Sequence, residues 1–321
     1  GEILKLLKET AGYISGQELC EKFGVSRTAV WKVINQLKEE GYEIEAVRNK
    51  GYILKGSADV LSKEELESTI HTKWAGENVV FFEETVSTNN EIRSLAEQGA
   101  PHGTLAVAER QLGGKGRRGR VGTSPAGVGI WMSMLLRPQI DPMAASMLTL
   151  VMALSTRRGI EKATGLKSEI KWPNDLLLNG KKIVGILCEV GPDGHSIVVG
   201  IGINLAQPQE YFDAAGLPHG TSLALQGVSV DMDTDPEWLA QYMTDFGFDR
   251  ALYTYEAEGF APYRERYKAL CVNLGRRVTY DGGAGTAVDV DDEGRLIVRD
   301  ETGDTRVFTG EVSVKGIYGA V

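Results

Sequence analysis

The sequence predicts an α+β chain built in three parts, and three patterns predict it. Two short amphipathic helices and an alternating hairpin come first, up to about Gly56. Strand and helix patterns then interleave as far as Leu270. From Cys271 onward the chain reads as short alternating strands broken by Gly-rich turns. A chain of 321 residues exceeds what one hydrophobic core usually carries. We therefore divide it into 1–57, 58–270 and 271–321.

In the first part, "SGQE" at Ser15–Glu18 is a capping box, in which Ser15 caps free backbone N–H groups and Glu18 reaches back. Gly24 supplies a turn and Ser26 caps the next helix. That helix carries Val30, Val33, Ile34 and Leu37 as a core stripe. Arg27, Thr28, Trp31, Lys32 and Gln36 fall off the stripe. The segment "YEIEAVRNKGYIL" alternates around "RNKG" as a β-hairpin does. Helix, short turn, helix, hairpin is the winged helix-turn-helix order. Ser26, Arg27, Thr28, Trp31 and Lys32 are the candidate DNA contacts, with Trp31 a partly buried wedge rather than a base contact. A small helical domain that binds protein is the alternative.

The middle part is predicted as α/β with a mixed sheet. "NVVFFEETV" is a strand, and "STNNEIRSLAEQG" a capped helix with Thr88 and Glu91 placed for a second capping box. "MAASMLTLVMALSTRRGIEKATG" is a long, largely buried helix. Asn179–Gly180 forms a type I′ turn in the next hairpin. "HSIVVGIGINL" is an apolar strand whose Gly200 and Gly202 mark a close approach by a ligand or a neighbouring backbone. The last part is predicted as a small antiparallel barrel or sandwich.

Composition narrows the class. At 42% hydrophobic and 25% charged residues, the chain matches ordinary globular protein. No apolar run nears the ~20 residues that span a bilayer. "GEILKLLKE" lacks a signal-peptide layout. Cys20, Cys188 and Cys271 are scattered and the histidines isolated, so neither a disulfide framework nor a structural metal is expected. These features suit a reducing cytoplasm. The net charge of −9 argues against non-specific nucleic-acid binding by the whole surface. Residues 1–55 hold nine Lys/Arg against eight Asp/Glu, a net of +1, so any nucleic-acid contact belongs there.

One stretch fits no core: "GGKGRRGRVGTSP", Gly113–Pro125, set between apolar strands. It lacks the "GK[ST]" and following helix of a phosphate-binding P-loop, and it is no dinucleotide fingerprint. Its glycines let backbone N–H groups approach an anion, and Lys115, Arg117, Arg118 and Arg120 neutralise phosphate or carboxylate. A solvated nucleic-acid-binding loop is the alternative.

The motifs around it decide between these readings. "STN" at Ser87–Asn89, "GGKGRRGR" at Gly113–Arg120, "KWPND" at Lys171–Asp175, "KIVGIL" at Lys182–Leu187 and "GIGIN" at Gly200–Asn204 occur in this order. Together they resemble the biotin–protein ligases. With the winged helix in front and the small barrel behind, the whole chain resembles the bifunctional biotin ligases that also repress biotin operons.

The resemblance implies a class II synthetase-like central fold and an SH3-like barrel. It implies a two-step acyl transfer: biotin and ATP, with Mg²⁺, give biotinyl-5′-AMP, and biotin then passes to a lysine of a biotin carboxyl carrier domain. It implies operator DNA of biotin genes as a second partner, and a homodimer promoted by ligand. By motif position, Lys182 and Arg117 are the catalytic residues. Ser87, Thr88 and Gln111 hydrogen-bond the ureido head, beside Asn89. The backbone of Gly114, Lys115, Gly116 and Arg117, with Arg118 and Gly119, lines biotin and phosphate. Asn174 and Asn204 face the nucleotide, and Gly200 and Gly202 leave room for biotin's rings. Asp175 orients a cation or the metal, and Lys171 is structural or lies at phosphate.

Two departures stand out. Lys115 replaces the family's first loop Arg, keeping the charge without the bidentate fork. Gly122 replaces a Trp, leaving Trp131 as the candidate wall for biotin's chain. By the same resemblance "QPQEYFDAAGLPHGTSLA", Gln207–Ala224, forms the adenine-side loop; it holds no Trp, so Phe212, Tyr211 or Leu217 is the stacking candidate. A lipoate-type protein ligase and a ligand-sensing transcription factor without ligase activity are the rival functions.

Overall fold

The computed structural model describes residues 2–39, 42–56, 79–115, 121–124, 129–138, 144–230, 255, 258–308 and 312–318. The first part forms α1 (Glu2–Glu9), α2 (Gly16–Phe23), α3 (Arg27–Glu39) and the hairpin β1 (Glu43–Val47) and β2 (Gly51–Gly56). The Ser15–Glu18 capping box is present in both directions. Gly24 closes α2 at φ 62°, a left-handed value that glycine adopts without a Cβ clash. Ser26 Oγ accepts from Ala29 N at 3.2 Å, so the second cap also forms. Val30, Ile34 and Leu37 are buried with Ile3, Leu7, Leu19 and Tyr52, and Val33 packs half-buried against them.

The central sheet runs β3 (Val79–Thr85), β4 (Leu105–Lys115), β6 (Gly129–Leu136), β10 (Ile197–Asn204), β9 (Lys181–Val190), β8 (Asp175–Leu178), β7 (Glu169–Lys171), and β5 (Val121–Ser124) pairs with β4. Only β3 and β4 are parallel among the described pairs, so the sheet is mixed. β6 is buried at every position because the sheet is covered on both sides. On one face, α4 (Thr88–Glu97) packs Ile92 and Ala96 against Ala106, Leu135 and Val198. On the other, α5 (Ala145–Thr164) packs against Val107, Met134 and Val199. Alternate residues of each strand thus serve opposite cores.

Two expectations need correction. The cap of α4 is Ser87, whose Oγ accepts from Asn89 N at 3.2 Å. Glu91 is not a box partner of Thr88, since it accepts from Thr85 Oγ1 at 2.7 Å instead. The basic stretch is also shorter as a loop than its composition suggests. β4 continues to Lys115 and pairs back with β5, Gly114 opposite Gly122 and Lys115 opposite Val121. Gly116, Arg117, Arg118, Gly119 and Arg120 lie outside the described residues.

After β10 come α6 (Gln209–Ala214) and, at the end of the middle part, α7 (Arg264–Leu270). The last part is a five-stranded antiparallel sheet, β11 (Arg277–Tyr280), β12 (Gly283–Val290), β13 (Leu296–Asp300), β14 (Gly303–Val307) and β15 (Val312–Val314), in the order β14-β13-β12-β11-β15. "KWPND" joins it to the centre. Trp172 is fully buried, its N–H accepted by Asn273 Oδ1 and its indole Nε1 donating to Gly294 O at 3.0 Å. Trp172 and Pro173 are thus packing residues.

Candidate functional site

The site lies on the α4 face of the sheet, and register places it. Gly200 pairs with Ser133 and Leu187; Gly202 pairs with Trp131 and Gly185; Gly185 pairs with Asp175. Residues paired across a ladder share a face. Val198 and Leu135, two residues along from Gly200 and Ser133, lie under α4 and fix which face it is. Beyond them the side chains shrink to three glycines, so the strands form a floor with polar groups at either end.

At one end, the Thr88 N–H donates to Gln111 Oε1 at 2.7 Å, and Thr88 Oγ1 lies 3.0 Å from the same oxygen. Ser133 Oγ lies 2.7 Å from Thr88 Oγ1 and also meets Asn89 Oδ1. Asn89 Nδ2 donates to Glu189 Oε2 at 3.2 Å. Ser87, Thr88, Asn89, Gln111 and Ser133 are all buried. A buried ladder of hydroxyls and amides is costly unless satisfied, and it is rigid when it is. Ser133 and Glu189 escaped the sequence reading. Their signal was a polar residue inside an otherwise apolar strand.

Gly200 and Gly202 do mark close approaches, but by side chains. A Cβ on Gly200 would sit 2.4 Å from Asn89 Oδ1, and one on Gly202 would sit 3.3 Å from Trp131 Cδ1. Trp131 is buried and lies over Gly129 and Gly202, at the edge of the floor.

At the other end, Lys182 Nζ lies 3.2 Å from Asp175 Oδ1. The Lys182 side chain is 44% exposed and that of Asp175 10%, so a buried carboxylate holds an amine that faces open space. The Asn179–Gly180 turn sets this up: φ is 50° and 73° at the two residues, as a type I′ turn requires. The Lys182 backbone is held on both sides, its N–H donating to His219 O and its carbonyl accepting from Thr221 N, each at 2.8 Å. Lys171 Nζ stands 5.3 Å from the Tyr318 ring centroid. The Tyr318 hydroxyl donates to Asp175 Oδ2 at 3.0 Å. Burial, then the Asp175 charge, pushes its pKa well up, so the phenol stays protonated.

Asn174 is tied to Ile186 through its side chain, 3.0 Å to the carbonyl, and through its own carbonyl. Asn204 Oδ1 accepts from Gln207 Nε2 at 3.0 Å. Phe212 is buried against Gly220 and belongs to the core, which removes it as a stacking candidate. Tyr211 packs edge-on to it, half-buried, and Leu217 is exposed.

A protein-held metal does not fit. Both Asp175 oxygens are in use, by Lys182 and Tyr318. Among the described residues no group of three His, Cys, Asp or Glu could hold an ion. Of the two roles expected of Asp175, orienting a cation or the metal, the structure has it holding a cation, the Lys182 ammonium. Trp31 needs correction too. It is fully buried and packs into the central core cluster, so it is no DNA contact in this arrangement. Ser26, Lys32 and Gln36 are exposed, and Arg27 and Thr28 half-exposed.

Comparison with known proteins decides the family. Residues 81–204 match the biotin/lipoate A/B protein ligase family. Residues 2–53 match an HTH domain and 274–315 a biotin protein ligase C terminal domain. The bifunctional ligase/repressor BirA of Bacillus subtilis (strain 168) is 36% identical over 98% of both chains. The chain belongs to the biotin/lipoate A/B protein ligase family. The bifunctional ligase/repressor BirA of Escherichia coli (strain K12) is 30% identical over 97% of both chains. A biotin protein ligase from Aquifex aeolicus, solved in complex with biotin and ATP, superposes with a TM-score of 0.60 at 27% identity, covering 74% of this chain and 99% of that one. Among the described residues no helix is long and apolar enough to cross a membrane.

Proposed function

We propose that this member of the family joins biotin to a carrier-protein lysine in two steps and represses transcription in response to biotin. The observation that carries the ligase reading is the glycine floor, with a buried hydrogen-bonding ladder at one end and a carboxylate-anchored lysine at the other. The ladder offers both donors and acceptors, as a ureido group needs. The Thr88 hydroxyl donates to Gln111 Oε1 and accepts from Ser133 Oγ; because the Thr88 N–H serves the same Gln111 oxygen, the hydroxyl can turn to a ligand without leaving that oxygen unpaired.

In the first step a biotin carboxylate oxygen attacks the α-phosphorus of ATP. The bond to the bridging oxygen breaks and pyrophosphate leaves. Two anions must meet, so the useful protein groups are positioned cations and N–H donors. Lys182 is the cation at that end of the floor; by motif position, Arg117, Lys115 and Arg118, with the backbone of Gly114, Gly116 and Gly119, are the groups for biotin and phosphate. Mg²⁺ enters with ATP as part of the substrate, carried by its phosphates. Asn174 and Asn204 flank the nucleotide, and Trp131 walls the biotin chain over Gly202. In the second step a carrier lysine amine attacks the acyl carbon, AMP leaves, and the amine loses a proton.

The working units are 1–57, 58–270 and 271–321. Ser26, Arg27, Thr28 and Lys32 read operator DNA of biotin genes from the exposed side of α3. The biotin carboxyl carrier domain is the acceptor, a ligand-promoted homodimer is the DNA-binding form, and the protein works in the cytoplasm.

The test is pyrophosphate release on mixing the protein with MgATP and either biotin or lipoate. Release with biotin alone supports the reading. Release with lipoate alone, or with neither acid, would overturn it.

A further inference from the structure

Lys182 depends on Asp175, yet Asp175 must itself be held. Its Oδ1 meets Lys182 Nζ at 3.2 Å, and its Oδ2 accepts from the Tyr318 hydroxyl at 3.0 Å. Tyr318 is not part of the central sheet; it follows β15, 143 residues from Asp175 in sequence. Its backbone sits at φ 55°, an uncommon conformation for a residue with a side chain. The ring stacks on His219, with centroids 6.0 Å apart and planes 29° from parallel. The same ring stands over Lys171 Nζ at 5.3 Å. His219 in turn bonds the Lys182 backbone. One side chain from the third part of the chain therefore touches Asp175, Lys171 and His219.

We propose that Tyr318 is a positioning residue for adenylate formation: it keeps the buried Asp175 carboxylate satisfied when Lys182 leaves it for the anionic substrate. This rests on the role given to Lys182 above. A buried carboxylate whose one partner is a lysine resists giving it up, because the charge would be left uncompensated. The phenol's charge-assisted hydrogen bond removes that obstacle. Its ring also stands under Lys171, which pairs with Asp175 in the β7–β8 ladder, so a second cation stays beside the site when the first moves.

The test uses the full chain and three variants: Tyr318→Phe, Asp175→Asn and the double variant. Phe keeps the ring beside His219 and Lys171 and removes only the hydroxyl. Single-turnover adenylate formation from biotin and MgATP is measured, and separately the transfer of biotin from supplied biotinyl-5′-AMP to the carrier. Tyr318→Phe should lower the adenylation rate about tenfold, the loss of one hydrogen bond to a charged group. The KM for biotin, the transfer rate and the melting temperature should stay near wild type. In the Asp175→Asn background the Phe substitution should add nothing, because the two act as one unit. Wild-type adenylation by Tyr318→Phe would overturn the proposal. So would equal losses in both half-reactions, or an undiminished loss in the Asn background. A wild-type protein that forms no adenylate would overturn the ligase reading itself.

Discussion

At Gly200 a single missing methyl group decides what the floor can hold. A Cβ there would stand 2.4 Å from Asn89 Oδ1 and 3.0 Å from Asn89 Cγ and Nδ2, so the amide would have to move. Asn89 also meets Ser133 and Glu189, and the shift would spread along the ladder. Overpacking of this kind costs about 1–3 kcal/mol. Divided between biotin affinity and stability, this should weaken biotin binding by Gly200→Ala roughly three- to tenfold and lower the melting temperature. Calorimetric titration with biotin checks it; an unchanged affinity would mean that the ladder does not face the ligand. The sequence marked Gly200 and Gly202 as close approaches but left open what approaches. That is a question of which elements are neighbours: Asn89 comes from α4 and Trp131 from β6, both far from β10 in the chain.

Capping and turn chemistry show which elements were legible. The Ser15–Glu18 box, the Gly24 cap and the Asn179–Gly180 turn all follow from a few adjacent residues, and the structure has each of them. The α4 cap falls one residue earlier than expected because Thr88 bonds Gln111 across the fold and Glu91 bonds Thr85, six residues back, instead of each other. Tyr318 had no local signal, since its partners lie a domain away. Trp31 was read as partly buried from α3 alone, and packing against the centre buries it fully.

A pH effect belongs to the segment between α4 and β4. His102 Nδ1 accepts from the Arg137 N–H at 2.7 Å, which requires an unprotonated Nδ1. Burial, then the Arg137 charge, lowers its pKa from 6.5 to about 4. The unfolded chain therefore takes up a proton between pH 6.5 and about 4 that the folded chain refuses. Stability should fall as pH drops through that window. His102→Asn should flatten this part of the profile, read by denaturant unfolding at stepped pH. An unchanged slope would assign it to other groups.

Over the whole molecule, α3 meets two environments. Trp31 is anchored in the central core cluster, while Ser26 and Lys32 face solvent. Arg48 of the hairpin turn donates to the Ser229 carbonyl, a second tie between the first part and the middle. If α3 binds DNA and ligand promotes a homodimer, as proposed, these two ties would let dimerisation and DNA binding share one coupling free energy. With a net charge of −9 on the chain, non-specific affinity should be low. Biotin and MgATP should tighten binding to upstream DNA of biotin genes, and added salt should weaken it. Arg27→Ala should weaken it at every salt concentration. Gel shift with and without ligand checks this, and equal binding in both conditions would remove ligand control.

The most direct test of the whole account is single-turnover formation of biotinyl-5′-AMP by wild type and Lys182→Ala. Asp175 and the His219–Thr221 backbone bonds place this lysine at one end of the floor, away from the buried ladder of Thr88, Gln111 and Ser133, the proposed ureido site. Loss of one charge-stabilising contact in the transition state costs about 3–4 kcal/mol, or roughly a hundred- to a thousandfold in rate. That loss is expected with the melting temperature nearly unchanged and biotin still bound. Adenylate formation by Lys182→Ala at the wild-type rate would contradict it.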